Sequence, residues 1–388
     1  MENHGLISVD DYYSSDTSAG DRNMLTTRLR LDTTKINSAN TLSFHFNGRE
    51  RNVLAGKYYA ANKRERIDAV NLVYEPGSVY LAVGRLYPKE VPVEHTDGVN
   101  FVYKKKEIGF GAFGGFKANP YTDEFSSKFM TAGAYLLYNR IGFITSSLAV
   151  IQDNYKGATD RQYAYGQLTL FPTDKLMLFG TGTSDFNQQM HKMNLTNAIV
   201  ELNFRPDFSK NFALGYTYFK GFSYFKSAPS QLSTGIARSY YARANYRFFE
   251  TYSLYGRVDR QVRNSTGVTG ETTHSNSYQL GLTKDDILKS NVNVNGSVSI
   301  NDSYGTAKHK TYSVELSRVN WEVLHTALNV SRTTNTYSVY NLSDKLWVFG
   351  GSANLYFKKR WTISLNYEYD KATSYTSSYL MSRVSMKF

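Results

Sequence analysis

The chain alternates. In NVNVNGSVSI, residues 291–300, Val292, Val294, Gly296, Val298 and Ile300 hold one parity; Asn291, Asn293, Asn295, Ser297 and Ser299 hold the other. Successive side chains of a strand point to opposite faces, so the stretch predicts a strand with one apolar face and one face of amides and hydroxyls. The pattern recurs. WTISLNYEYD (361–370) sets Trp361, Ile363, Leu365, Tyr367 and Tyr369 against Thr362, Ser364, Asn366, Glu368 and Asp370. YYARANYRFF (240–249) opposes Arg243, Asn245 and Arg247 to Ala242, Ala244, Tyr246 and Phe248. LTTRLRLD (25–32) opposes Arg28, Arg30 and Asp32 to leucines, and TLSFHFNG (41–48) opposes Ser43, His45 and Asn47 to Leu42, Phe44 and Phe46. No stretch of about 12 residues carries a helical stripe. The alternation alone does not say which face is inside. Valines facing a dry core and valines facing lipid give the same pattern.

The strands predicted this way lie near 6–14, 24–33, 41–51, 66–75, 78–87, 98–104, 107–117, 128–137, 141–152, 161–171 and 175–185. They continue near 195–204, 211–222, 238–248, 251–262, 276–285, 290–301, 309–318, 322–333, 344–357, 361–371 and 377–388. That is about 22, and a single-chain bacterial barrel takes an even number. The segment 6–14 is included on that parity. Connections alternate in length: short turns such as 358–360, 248–251 and 104–107 interleave with longer polar links such as 223–236 and 263–275. A barrel with short turns on one rim and long loops on the other gives this rhythm.

Composition sharpens the choice. Mean hydropathy is −0.45, and no run approaches the roughly 18 apolar residues of a membrane helix. Yet the 388 residues include 32 Tyr and 23 Phe with only 7 Pro, a composition that favours strands. No linker or composition shift divides the chain, which predicts one barrel over residues 1–388 with no separate plug. The absence of cysteine excludes disulfides, thiolate catalysis and covalent haem attachment through C-x-x-C-H. No secretion signal opens the sequence; an exported protein of this kind is expected to be a mature chain.

The C-terminus, LMSRVSMKF, carries Leu380, Val384, Met386 and Phe388 on one parity and Arg383, Ser385 and Lys387 on the other. A final amphipathic strand ending on Phe388 resembles the terminal assembly signal of bacterial outer-membrane barrels. The likeness is close over the last twelve residues and extends to the strand-and-turn rhythm throughout. It implies an all-β fold, an antiparallel transmembrane β-barrel with short periplasmic turns and longer extracellular loops. It also implies outer-membrane lipid and the barrel-assembly machinery as partners, and a channel for small hydrophilic solutes or ions. A second reading belongs to another class: the sheath of a porin–cytochrome conduit, in which a wide barrel insulates a multihaem cytochrome. The TTRLRLD start and the GR and DGV elements flanking 84–99 are loosely similar to such sheaths. In either reading this chain binds no cofactor, haem residing only in the partner.

Within a barrel, the polar parity lines the lumen. Arg28, Arg30, Asp32, His45, Arg243, Arg247, Arg257, Glu368 and Arg383 are then the expected pore-lining residues. With 45 Lys plus Arg against 33 Asp plus Glu, the lumen field leans toward anions; hydrated wall charges in cross-strand pairs are the plainer reading. IGFGAFGGF (108–116) sets Gly109, Gly111 and Gly115 on the lumen parity, bare backbone that admits close approach by a loop or cargo, or serves wall curvature. GRLYPKEVPVEHTDGV (84–99), with Glu90, Glu94, His95 and Asp97, is expected to fold toward the lumen and narrow it. Trp321, Trp347 and Trp361 fall near strand ends, as an interfacial girdle requires. No nucleophile motif, phosphate loop or metal-spaced His pair is present, so no metal site and no enzyme is expected. The basic residues are dispersed rather than gathered, which argues against nucleic acid.

Overall fold

The computed structural model describes all residues except 19, 57–64, 94, 120–124, 188–190, 223–224, 227–234, 265–271 and 304–305. Twenty-two strands form one sheet. In chain order they are β1 (Glu2–Asp16), β2 (Arg22–Thr34), β3 (Leu42–Ala55), β4 (Glu65–Tyr74), β5 (Val79–Leu86), β6 (Thr96–Lys105), β7 (Ile108–Ala118) and β8 (Phe125–Arg140). There follow β9 (Ile144–Tyr155), β10 (Ala158–Thr173), β11 (Leu176–Asn187), β12 (Lys192–Asp207), β13 (Lys210–Lys220), β14 (Ile236–Phe248) and β15 (Tyr252–Asn264). The last are β16 (Thr272–Lys284), β17 (Val292–Ser303), β18 (Ala307–Asn320), β19 (Leu324–Tyr337), β20 (Leu342–Phe357), β21 (Trp361–Lys371) and β22 (Thr376–Lys387). The expected segment 6–14 is the middle of β1. Only two 3-10 turns, Ile287–Lys289 and Ser338–Tyr340, interrupt the β pattern among the described residues.

Each strand pairs antiparallel with the next, and β1 pairs with β22 from Leu6↔Lys387 to Asp16↔Ser377. The sheet therefore closes. Closure is what a bilayer demands, because lipid satisfies no backbone N–H or C=O. The seam ends at Phe388, which exchanges backbone hydrogen bonds with Gly5 (2.8 and 3.1 Å). Its ring lies where a side chain at Gly5 would stand, so this glycine makes room for the last residue.

Closure settles the faces. Leu148 and Val150 are each 64% exposed, and Leu136, Leu214 and Leu328 are exposed with them. A continuous apolar belt of this kind on the outside of a closed barrel is a lipid-facing surface. The valines of 292–300 belong to it. Ser297 faces inward and shares a 2.6 Å hydrogen bond with Ser313 of the next strand. Asn291 departs from the expected wall: it sits in the preceding turn with φ 58°.

The two rims differ. On the rim that holds Phe388, most turns are tight, the exceptions being 35–41 and 285–291; Phe249–Glu250, Trp321–Glu322 and Lys358–Lys359 all take positive φ in pairs. That conformation matches a two-residue turn to the twist of the flanking strands. The longest links, including 87–95 and 221–235, are on the opposite rim, although others there, such as 156–157 and 372–375, are short. Bulges in β4, near Gly48 of β3, and in β10 and β12 shift the parity locally.

Candidate functional site: the lumen and its inward strap

The link 87–95 does not stand above the rim. It contains Pro88 and Pro92, which cannot donate to a ladder, and it turns into the lumen as a strap. Val91 and Val93 are only 6% and 8% exposed. They pack against Val102, Phe113, Tyr135, Ala149, Ile151 and Tyr163, all on the inward parity of β6 to β10. Burying two valines stabilises the strap by about 1.5–3 kcal/mol each. Tyr135 anchors this cluster. Its hydroxyl donates to Asn100 Oδ1 at 2.7 Å, and its ring covers Gly111, where a Cβ would lie 2.4 Å from it.

The same sector takes a second link. The Arg161 guanidinium lies 3.5 Å from the centre of the Phe222 ring and 4.1 Å from that of Tyr163. The backbone N–H groups of Phe225 and Lys226 donate to Asp160 at 2.9 and 2.7 Å. Below them Arg161 is held by Asp185 at 2.5 Å and Lys117 by Asp153 at 3.1 Å. One side of the lumen, along β6 to β10, is thus covered by the strap and by Phe222.

The remaining wall is polar and charged. Arg28 lies 3.4 Å from Asp10, and Arg383 lies 2.5 Å from the same carboxylate. Arg30 pairs with Asp32 at 2.8 Å, and His45 meets the other Asp32 oxygen at 2.7 Å. Arg243 pairs with Glu201 at 2.9 Å, whose other oxygen accepts from Tyr241. Arg257 holds Asp259 through two contacts of 2.7 and 2.8 Å. Arg247 sits at the short-turn rim, donating to the Glu250 carbonyl at 2.7 Å and lying 3.4 Å from Asp285. Glu368 faces the lumen beside Asp370. Most of these arginines remain open to the lumen water, Arg30 with a side chain 64% exposed.

The strap residues fall in several places. Glu90 lies 3.8 Å from Lys104. His95 is buried against Tyr87, whose hydroxyl is 3.3 Å from its Nδ1. Glu94 lies outside the described residues. Asp97 requires correction: it is not in the strap but on β6, on the outward parity opposite Phe116. There the Arg85 Nε and Nη2 hold it at 2.6 and 2.7 Å. The chain rejoins the wall at Thr96, two residues earlier than the pattern suggests, and Asp97 turns outward with it.

Gly109, Gly111 and Gly115 all face inward. Gly115 is directly opposite Gly98, which is opposite Gly84. A Cβ at Gly98 would lie 2.1 Å from the Gly114 carbonyl, and Gly84 has φ 124°. This row lets three strands crease together where β5 leaves the wall. Trp347 and Trp361 face outward, Trp347 under the Arg332 guanidinium at 5.4 Å. Trp321 stands in a short turn, 83% exposed.

Several lumen residues escaped the pattern. Arg49 and Arg51 continue the His45 parity through GRERN, a signal present in the sequence. Arg66 and Asp68 lie beyond the β4 bulge, which inverts their parity relative to Asn71. Asp10 lies in the first strand, whose alternation is weak.

Comparison with solved structures places this architecture. A BenF-like porin from Pseudomonas fluorescens Pf-5 superimposes with a TM-score of 0.53 at 9% identity, over 100% of this chain and 99% of that one. Acinetobacter baumannii OccAB4 gives 0.49 at 8% identity over 100% and 99%. Pseudomonas aeruginosa OccK5 (OpdH) gives 0.48 at 10% identity over 100% and 98%. No protein-family model matches the chain, and no curated protein does. The likeness to the BenF-like porin establishes the fold, a barrel of the outer-membrane porin type.

Proposed function

We propose that the whole chain is a passive channel of a bacterial outer membrane, carrying small hydrophilic solutes or ions with a modest preference for anions, and that it catalyses no reaction. The observation that carries this reading is a row of arginines. Arg28, Arg49 and Arg66 are directly opposite one another across β2, β3 and β4. Like charges in direct opposition destabilise a sheet; Arg28 and Arg66 offset part of that cost by facing Asp10 at 3.4 Å and Asp68 at 2.6 Å. It faces the part of the lumen that the strap leaves open. Arg30 and Arg51 flank it, against Asp10, Asp32 and Asp68.

Reconstitution in planar bilayers under a KCl gradient tests the reading. The expected result is ion conductance with a zero-current potential of the anion-preferring sign, moving toward zero in the Arg28→Gln/Arg49→Gln variant. No conductance, or a cation preference in the unmodified chain, overturns it. In this reading the barrel carries no cofactor, lipid contacts its belt, and Phe388 presents the strand end to the assembly machinery. The sheath reading is less well supported, because a strap packed by buried valines stands in the lumen that a cytochrome would occupy.

A further inference from the structure

Beneath the strap tip lies a cavity of about 270 Å³. Its floor is one register row across five strands: Lys104, Gly109, Leu137, Ser147 and Gln167 are successive cross-strand partners, all facing inward. Its roof is Lys89 and Glu90 of the strap. Gly109 contributes no side chain, and that absence makes the room. The cavity opens beside the turn that carries Lys106 and Glu107, on the short-turn rim.

The polar groups here are oddly balanced. Ser147 is 6% exposed, and its Oγ is buried with no hydrogen-bond partner. A buried hydroxyl without a partner costs about 1–3 kcal/mol in general, so it calls for an occupant. The amide oxygens of Asn139 and Gln167 already accept from Thr145 (3.1 Å) and Tyr165 (2.8 Å). What those amides still offer is their N–H donors. Lys89 and Lys104 add ammonium donors. Two carboxylates line the cavity: Glu107 already accepts from the Tyr138 hydroxyl at 3.0 Å, whereas Glu90, at 3.8 Å from Lys104, is outside hydrogen-bond distance of it and keeps its capacity to accept.

We propose that this cavity is a binding subsite for a small hydroxycarboxylate. Its carboxylate takes the Lys89 and Lys104 ammonium groups and the amide donors, and its hydroxyl, on the neighbouring carbon, donates to Glu90 while accepting from Ser147. The volume admits a molecule of a few carbons and excludes a hexose or an aromatic acid bound flat. The inference deepens the channel reading and rests on it for its physiological meaning: the site holds a solute at the inner mouth before release.

Titration calorimetry of the intact barrel in detergent with L-lactate tests the proposal, with propionate as the probe that lacks the hydroxyl. The expected result is saturable lactate binding, at least threefold tighter than propionate. Lys104→Gln should weaken it about tenfold, and Gly109→Val, which fills the cavity, should abolish it. Folding of both variants is checked by their β-sheet circular dichroism and thermal midpoint beside the parent chain. Binding that is absent, equal for lactate and propionate, or indifferent to Gly109→Val in a folded barrel overturns the subsite. A barrel that binds lactate and does not conduct overturns the channel reading alone.

Discussion

Arg383 in the last strand grips Asp10 in the first, its Nε 2.5 Å from Oδ1, while Arg28 of the second strand approaches Oδ2 at 3.4 Å. One carboxylate thus ties three strands across the seam where the barrel closes. Asp10 is 7% exposed. Asp10→Asn should leave two guanidinium groups without their counter-charge. Both arginines are nearly half open to lumen water, which screens part of the loss, so the expected destabilisation is about 1–2 kcal/mol. Urea unfolding in lipid vesicles measures it, and an unchanged midpoint argues that the seam does not depend on this carboxylate. The same variant removes a negative charge from the lumen, so its zero-current potential should move further toward anion preference.

The strap gives the second prediction. Val91 and Val93 fix it to the wall of β6 to β10. Replacing residues 88–93 by two glycines removes that mass from the lumen while leaving β5 and β6 intact. Single-channel conductance should rise. A variant that folds and conducts as before shows that the strap does not limit the pore.

How far the sequence led depends on what a period of two can register. It reports which side a residue faces, and it located every strand, including the weak first one. It does not report what a face touches. Val91 and Val93 in EVPVE read as loop residues on either side of Pro92, and nothing in their spacing says that they are buried inside a lumen. It also fails at bulges, because one extra residue inverts the parity. A count by twos from Val73 therefore puts Arg66 and Asp68 on the lipid side, the wrong face. Asp97 was misplaced for a related reason: the strap ends at a strand start that the polar run EHTDG conceals. Arg49 and Arg51 were legible in GRERN and needed only that the His45 parity be carried four and six residues further.

Tyr135 and Gly111 form a ring-on-backbone pair inside the barrel. A Cβ at Gly111 would lie 2.4 Å from the Tyr135 ring. Gly111→Ala should force the ring off its place and with it the hydrogen bond to Asn100, costing about 1–3 kcal/mol for overpacking. Gly296 is the control. It lies in a strand with nothing within 4 Å of an added Cβ, so Gly296→Ala should be neutral or stabilising by about 0.4–1 kcal/mol. Thermal unfolding of the two variants beside the parent chain distinguishes a packed glycine from an open one. Equal effects would count against the ring contact.

The outward pair of Arg85 and Asp97 makes the last prediction. It lies on the lipid-facing parity, its side chains only 15% and 19% exposed, with Nη1 of Arg85 also donating to the Ile67 carbonyl at 2.8 Å. That carbonyl belongs to the end of β4 that β5 does not reach, since their ladder spans only Val70–Tyr74 against Leu81–Arg85. Arg85 therefore does two things: it neutralises Asp97 and satisfies a backbone acceptor at a gap in the wall. Arg85→Met alone leaves a carboxylate half sunk in an apolar surface, and breaking a buried pair from one side costs about 3–5 kcal/mol. Adding Asp97→Leu removes the orphaned charge. The double variant should recover most of that loss and retain only the deficit of the Ile67 carbonyl, about 1–3 kcal/mol. A double-mutant cycle on urea midpoints measures the coupling. Additive losses would mean that the two charges stabilise the wall independently, and that the gap beside β4 is closed by something other than this pair.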